Sequence, residues 1–406
     1  MINTNTKKLA RACLASVALG TFGCAADVGV ESDSIEQTSA ALTTSTTVGT
    51  SVADWMIAKY PNIETLTAKT SWEYTNGMIL SGFVKLYEKT KNPNYIKYVQ
   101  TWVDKYVSSA GVINRTSTYS LDATQPAALL PALYAFTGAA KYKTAATSQR
   151  NLYPSFPKNS EGAFHHKANY PNQQWLDGLW MGEPFLSLYG KTWATAGSDQ
   201  SYCYNTAATQ LKIIKAANAS TNLLLHAHDP SKVAAWANPT TGNSPSFWGR
   251  AMGWYAMALV DVLDSVPTTH TDYQNILNIY KSVVVGLKAT QDSSTGLWWQ
   301  VLDQPTGSGN YLETSASAMF VYAIKKGINK GYIDSATYLP VANKGWAGVK
   351  TKITFGTGTP PSSVTIAGAV AGMGVQTSFA NYVAIKATNN APHGFAGVLA
   401  AASVME

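Results

Sequence analysis

Leu86-Tyr87-Glu88-Lys89-Thr90-Lys91-Asn92-Pro93-Asn94-Tyr95 recurs as Leu133-Tyr134-Ala135-Phe136-Thr137-Gly138-Ala139-Ala140-Lys141-Tyr142. Leu, Tyr, Thr and the second Tyr keep identical spacing, and Leu188-Tyr189-Gly190-Lys191-Thr192 begins a third copy. Self-similarity of this kind marks a chain that builds its core by stacking copies of one supersecondary unit. In each copy an apolar helix closes at Leu-Tyr and a short turn follows. Tyr95 or Tyr142 then opens a second, more amphipathic helix. The unit is a helical hairpin.

Working outward, apolar helices rich in small residues are predicted at 76–87, 126–136, 178–189, 251–263, 315–324 and 394–404. More amphipathic ones are predicted at 94–106, 141–152, 202–217, 273–290 and 335–349, with 52–59 as a sixth. A helix apolar on all sides belongs inside and an amphipathic one outside. Six of each in alternation predict an all-α (α/α)6 barrel, a toroid of six hairpins closed by the N-terminal outer helix docking beside the last inner one. An open α-solenoid is the alternative. Strand signals are confined to Leu297-Trp298-Trp299 and Val364-Thr365-Ile366, read as short extended pieces in loops.

Lys7, Lys8 and Arg11 precede a short apolar stretch, so residues 1–23 read as a signal peptide and the mature chain as exported. Cys24 leaves two readings open, a lipoprotein signal that would tether the protein to a membrane, or ordinary secretion with cleavage near Ala25 or Ala26. Residues 24–49, rich in Ser, Thr, Ala and acidic residues, read as a flexible tether, and 50–406 as the catalytic domain. Three cysteines, Cys13, Cys24 and Cys203, exclude a disulfide framework, and Cys203 reads as a small buried apolar residue. The whole chain carries +7; removing three positive charges in the signal and four negative ones in the tether leaves the domain at +8. Such a field draws in anions. No basic run is interleaved with stacking aromatics, so no nucleic-acid partner is expected, and acidic sugars fit better.

Trp72, Tyr74, Asp122, Trp175, Asp177, Trp248, Arg250, Glu313 and His393 all fall just before or at the starts of inner helices. In a barrel those starts share one mouth, where carboxylates, a guanidinium, an imidazole and aromatics would converge. Aromatic faces stack on a pyranose, and a carboxyl group can protonate a carbon or an ether oxygen. Asp177 and Asp122 each also read as helix-capping residues, the latter as a capping box with Gln125. As an acid, Asp177 would work against its helix dipole, which favours the charged carboxylate. Desolvation by Trp175 and Trp248, and repulsion from Asp122, are expected to raise its pKa. Trp180 and Glu183 line up near the mouth too, but read as core packing and a solvated helix turn. His165-His166 and His226-Ala227-His228-Asp229 lack the helical spacing of zinc hydrolase motifs, so neither a metal nor another cofactor is expected.

Four strings in order, Trp72-Glu73-Tyr74-Thr75-Asn76-Gly77, Gln174-Trp175-Leu176-Asp177-Gly178-Leu179, Phe247-Trp248-Gly249-Arg250-Ala251-Met252-Gly253-Trp254 and Gly309-Asn310-Tyr311-Leu312-Glu313-Thr314-Ser315-Ala316-Ser317-Ala318, resemble glycoside hydrolase family 105. The resemblance runs from about Ser51 to the C-terminus and extends in fold to the unsaturated glucuronyl hydrolases of family 88. It implies an (α/α)6-barrel unsaturated rhamnogalacturonyl hydrolase of pectin degradation. Its substrates would be lyase-generated oligosaccharides that end in a 4,5-unsaturated uronic acid. The reaction implied is hydration of the vinyl ether: Asp177 protonates C4, water adds at C5, and the hemiketal opens and expels the sugar. Carried over residue by residue, Asp122, Lys167, Trp175, His226, Trp248 and Arg250 would contact the sugar, beside the mouth aromatics Trp72 and Tyr74. Arg250 or Lys167 would hold the uronate carboxylate, Trp175 and Trp248 would stack, and Asp122 and His226 would orient hydroxyls or share a proton with Asp177. Ala123, Thr124 and His228 depart from the family's usual residues, which puts substrate choice in doubt.

Two other readings remain at this level: an unsaturated glucuronyl hydrolase acting on glycosaminoglycan or ulvan fragments, and a non-catalytic sugar-binding toroid at the cell surface. No protein partner is inferred.

Overall fold

The repeated residues close the first two inner helices in the same way. Thr90 Oγ1 donates back to the Leu86 carbonyl and Thr137 Oγ1 to that of Leu133, both at 2.7 Å. The chain then reverses through a left-handed residue, Lys91 in one copy and Gly138 in the next, whose N–H groups donate to the carbonyls of Tyr87 and Tyr134. The second Tyr of each copy reaches to the preceding outer helix, Tyr95 to Asp54 and Tyr142 to Asp104. The motif is therefore a helix stop, a turn and a tie to the neighbouring hairpin.

In the computed structural model, which describes residues 47–218 and 221–406, the helices run in chain order as follows. After α1 (Val48–Lys59) and the short α2 (Glu64–Thr67) come α3 (Tyr74–Thr90) and α4 (Pro93–Tyr106). The turn α5 (Leu121–Thr124) leads through a 3₁₀ segment into α6 (Leu130–Thr137), followed by α7 (Ala140–Arg150), α8 (Leu176–Thr192) and α9 (Ser198–Ala217). Then come α10 (Gly249–Leu263), α11 (Tyr273–Ala289), α12 (Thr314–Asn329), α13 (Ser335–Lys350), the short α14 (Phe379–Ala384) and α15 (Pro392–Met405). The inner ring is α3, α5–α6, α8, α10, α12 and α15, and α15 packs on both α12 and α3. That closes the (α/α)6 barrel and excludes an open solenoid. The inner helix expected at 126–136 is broken into 3₁₀ and α parts because Pro126 and Pro131 each lack a donor.

Closure needs close approach. A Cβ at Gly82 of α3 would lie 2.6 Å from that of Leu399 on α15. Outside the ring, α1 begins at Val48, so residues 48 and 49 belong to the fold and not to the tether expected to reach 49. The reason is capping: Thr47 Oγ1 accepts from Thr50 N–H, and the Glu406 carboxylate accepts from Val48 and Gly49 N–H at 3.0 and 2.9 Å. The signal and most of the tether lie outside the described residues.

Of the expected extended pieces, Val364–Ile366 pairs antiparallel with Ile353–Phe355. Leu297-Trp298-Trp299 forms no strand; Leu297 and Trp298 are fully buried, and Trp299 makes a single bridge to Leu312. Cys203 is buried on α9, and burial pushes its thiol up to about 11.

Trp180 stacks on Trp254 at 4.7 Å between centroids, as core packing. Glu183 is not the solvated helix turn expected. It is fully buried, neither carboxylate oxygen has a partner, and burial holds it well above the usual carboxylate range. A raised folded-state value means that stability is complete below the unfolded-state value and is lost as pH rises through the folded one. Glu183→Gln is therefore expected to leave the melting temperature near that of the parent at pH 4 and to raise it at pH 8. The gap should grow by up to about 1.4 kcal/mol per pH step in the window. Thermal melts across pH check this, and a constant offset would contradict it.

Candidate active site

Asp177 and His226 are brought together by backbone pairing before their side chains meet. Gln174–Trp175 (β1) pairs antiparallel with Ala227–His228 (β2), Trp175 opposite Ala227, and Leu176 N–H donates to the His226 carbonyl at 3.0 Å. The Asp177 side chain, in the first turn of α8, lies with Oδ2 3.0 Å from His226 Nε2. The approach is off-line, so neither atom has an aligned hydrogen bond. Such contacts tighten when a substrate arrives. The capping reading fails: Trp175 occupies the cap position of α8 and no side chain caps it.

A second junction sets Asp122. Ser120 bridges Lys167, and Leu121 N–H donates to the His166 carbonyl. Lys167 Nζ then sits 2.5 Å from Asp122 Oδ2, and His166 Nε2 3.5 Å from Oδ1. The cap of α5 is Ser120, and Gln125 donates to Ser81, so the capping box is absent. Burial works against the Lys167 charge, but the Asp122 carboxylate holds it above the ordinary lysine value.

These groups open on a cavity of about 510 Å³ whose wall includes Tyr74, Asp122, Lys167, Trp175, Asp177, Trp248 and Arg250. Trp175 belongs to an aromatic cluster, 4.3 Å from His166 and 4.8 Å from Tyr170, which are 6.4 Å from each other and so do not sandwich it. Arg250 is wholly buried. One Nη pairs with Glu313 Oε1 at 3.4 Å and donates to the Val370 carbonyl, while Nε and Nη1 have no partner. Glu313 caps α12 through Ser315 and Ala316 N–H and also accepts from Val370 N–H. It stands behind the mouth, holding Arg250 in place.

Two expected contacts are corrected. Trp72 does not reach the cavity: it is fully buried, stacked on Trp102 at 5.4 Å, and its indole N–H donates to the Ala123 carbonyl. It supports α5 from below. His226 is also fully buried and lies behind Asp177, outside the cavity wall. Its other ring nitrogen, Nδ1, is 2.8 Å from Tyr382 Oη. His228 turns away to Asn243 and Glu161, and among the described residues no three His, Cys, Asp or Glu side chains are placed to hold a metal.

Sequence reading passed over Glu73, Lys69, Tyr170 and the 371–374 loop, which also line the cavity, and Tyr382. Trp254, within a quoted motif, lines it as well, and so does His393. Burial and the nearby Arg250 keep His393 well below the ordinary histidine value, as a neutral imidazole beside Tyr74 Oη at 3.4 Å.

Asp177 departs from expectation in its acidity. Burial pushes its pKa up, but the facing His226, with His166 behind, outweighs burial and holds it below the usual aspartate value. With no ligand present, the site is poised as a carboxylate.

The buried Arg250–Glu313 pair can be tested by itself. Removing one partner strands a desolvated charge, so Glu313→Ala should cost about 3–5 kcal/mol in chemical denaturation; a loss within about 1 kcal/mol, the range of an exposed pair, would contradict the assignment.

Residues 48–406 match the model of Glycosyl Hydrolase Family 88. A solved family 105 glycoside hydrolase of C. acetobutylicum is 32% identical, with a TM-score of 0.81 over 88% of this chain and 98% of that one. The chain is 28% identical to the unsaturated rhamnogalacturonyl hydrolase YesR of Bacillus subtilis, over 68% of this chain and 75% of that one. It is 38% identical to Protein Atu3128 of Agrobacterium fabrum over 38% of this chain, and there it spans 63% of the relative's length. With the barrel and the mouth as described, the chain belongs to Glycosyl Hydrolase Family 88 and is related within that group to the family 105 glycoside hydrolases.

Proposed function

We propose that this protein is an exported hydrolase, secreted or anchored through Cys24, that releases a 4,5-unsaturated uronic acid from the non-reducing end of lyase-generated oligosaccharides, with rhamnogalacturonan fragments favoured. The observation that carries the reading is the buried Asp177 backed by His226 at 3.0 Å and facing a cavity whose lining includes Arg250, a buried guanidinium with two nitrogens that lack hydrogen-bond partners. The activity named for YesR, an unsaturated rhamnogalacturonyl hydrolase, supports the choice of rhamnogalacturonan.

The chemistry follows from charge. An incoming uronate carboxylate meets Arg250, a planar donor suited to it, and the sugar displaces water. Both the new anion and the loss of water disfavour a second negative charge, so the Asp177 pKa climbs from its low resting value. Asp177 then takes up a proton and delivers it to C4, and the positive charge forms at C5 beside the ring oxygen. Water adds at C5 and returns its proton to the Asp177 carboxylate. The C5 hemiketal opens by breaking its bond to the ring oxygen, and the resulting C1 hemiacetal expels the sugar. The balance is substrate plus one water. Trp175 supplies the stacking face.

Disaccharides ending in rhamnose should lose their ultraviolet absorbance faster than those ending in glucosamine or galactosamine, and equal or reversed rates would redirect the substrate assignment. Asp177→Asn should slow the loss by about 100- to 10,000-fold while the fold persists; a rate within twofold of the parent would sink the role given to it. Trp175→Ala should raise KM by about tenfold, the equivalent of one lost stacking contact, with a smaller change in kcat.

A further inference from the structure

Tyr382 has no counterpart among the expected site residues, yet it is the only described side chain hydrogen-bonded to His226 Nδ1. It sits on α14, in the excursion between α13 and α15 whose residues 371–374 form part of the cavity wall. Its side chain is fully buried, with its ring against those of His226 and Trp248.

The direction of each proton in this chain can be deduced. Tyr382 Oη lies 2.8 Å from Nδ1, where a hydroxyl can donate or accept, so the other ring nitrogen decides. A carboxylate oxygen only accepts, so an imidazole facing Asp177 keeps its hydrogen on Nε2 and takes the Tyr382 O–H at Nδ1. A neutral imidazole that accepts at Nδ1 carries its hydrogen on Nε2, and Nε2 faces Asp177 Oδ2 at 3.0 Å.

We infer that Tyr382 is a positioning residue that, by donating to Nδ1, holds His226 in the Nε2–H form, so that an N–H faces Asp177 Oδ2 and only the other carboxylate oxygen exchanges protons with the substrate. The inference rests on the hydrolase reading of this site for its kinetic consequences, though not for the tautomer itself. The segment that walls the cavity thus also sets the proton on the residue behind the acid. Other ionisable groups around the pair are His166, with Asp122 and Lys167 beyond it, and Tyr74 across the cavity. None of them contacts Nδ1 in a hydrogen bond.

The test combines nitrogen NMR of protein labelled in the imidazole ring with kinetics of Tyr382→Phe. The chain has six histidines, so a His226→Gln sample assigns the signal. In the ligand-free parent at neutral pH, His226 should show a bare Nδ1 and a protonated Nε2, and Tyr382→Phe should move the Nδ1 signal toward that of an imidazole nitrogen with no hydrogen bond. That variant should lose about 10- to 100-fold in kcat with KM changed less than about threefold. A parent His226 protonated on Nδ1 overturns the inference. So does a Tyr382→Phe protein that melts earlier but keeps the parent Nδ1 signal and the parent kcat. A parent protein silent on every lyase-generated disaccharide overturns the hydrolase reading alone, because the tautomer is read without substrate.

Discussion

The outer helices return the chain to one end of the barrel, so every inner helix begins at the same mouth, and this single constraint organises the rest of the molecule. Six helix starts bring their unsatisfied N–H groups and positive dipole ends to one rim. The opposite ends receive cations instead: Lys89, Lys191 and Lys326 occupy the last turns of α3, α8 and α12. The mouth is therefore suited to an anionic ligand and hostile to a neutral carboxylic acid. Asp177 reflects both facts, since the facing His226 and His166 outweigh burial and hold its pKa below the usual aspartate value. A group that must donate a proton in a positive field needs an anion to oppose that field, and in the proposed reaction the substrate's own carboxylate supplies it. The buried acid would then be armed by the ligand it acts on, a way of coupling binding to chemistry.

The barrel was legible because its repeat encodes bonds and not merely hydrophobicity. Leu86 with Thr90 and Leu133 with Thr137 mark helix ends by side-chain bonds that recur unchanged, and the paired tyrosines mark the next outer helix. Where the local rule was broken, the reading erred. Two prolines split one inner helix, and Leu297-Trp298-Trp299 looked like a strand because buried aromatics resemble one whatever backbone carries them. Glu183 reads as solvated because nothing in sequence distinguishes a buried glutamate from an exposed one at the same helix position.

At the site, residues at helix starts were found because the topology sends them all to one place. Asp122, Trp175, Asp177, Trp248 and Arg250 reach the cavity together. Trp72 has the same position in sequence, but its ring turns under α5, and a helix start says nothing about which way a flanking side chain points. Lys167 and His226 came from the family resemblance, and their placement depends on the short pairings of Lys167 with Ser120 and of β2 with β1. Tyr382 lies in a stretch outside the repeat, where no periodicity signals contact with residues far away in the chain.

The proposed reaction turns on Asp177 delivering a proton to C4 rather than promoting displacement at the anomeric carbon. The direct measurement is proton NMR of the first uronate product formed in heavy water. Hydration of the vinyl ether predicts a keto product with one solvent deuteron at C4 and no remaining double bond. An initial product that keeps its C4–C5 double bond, with hydrogen and no deuterium at C4, would contradict it.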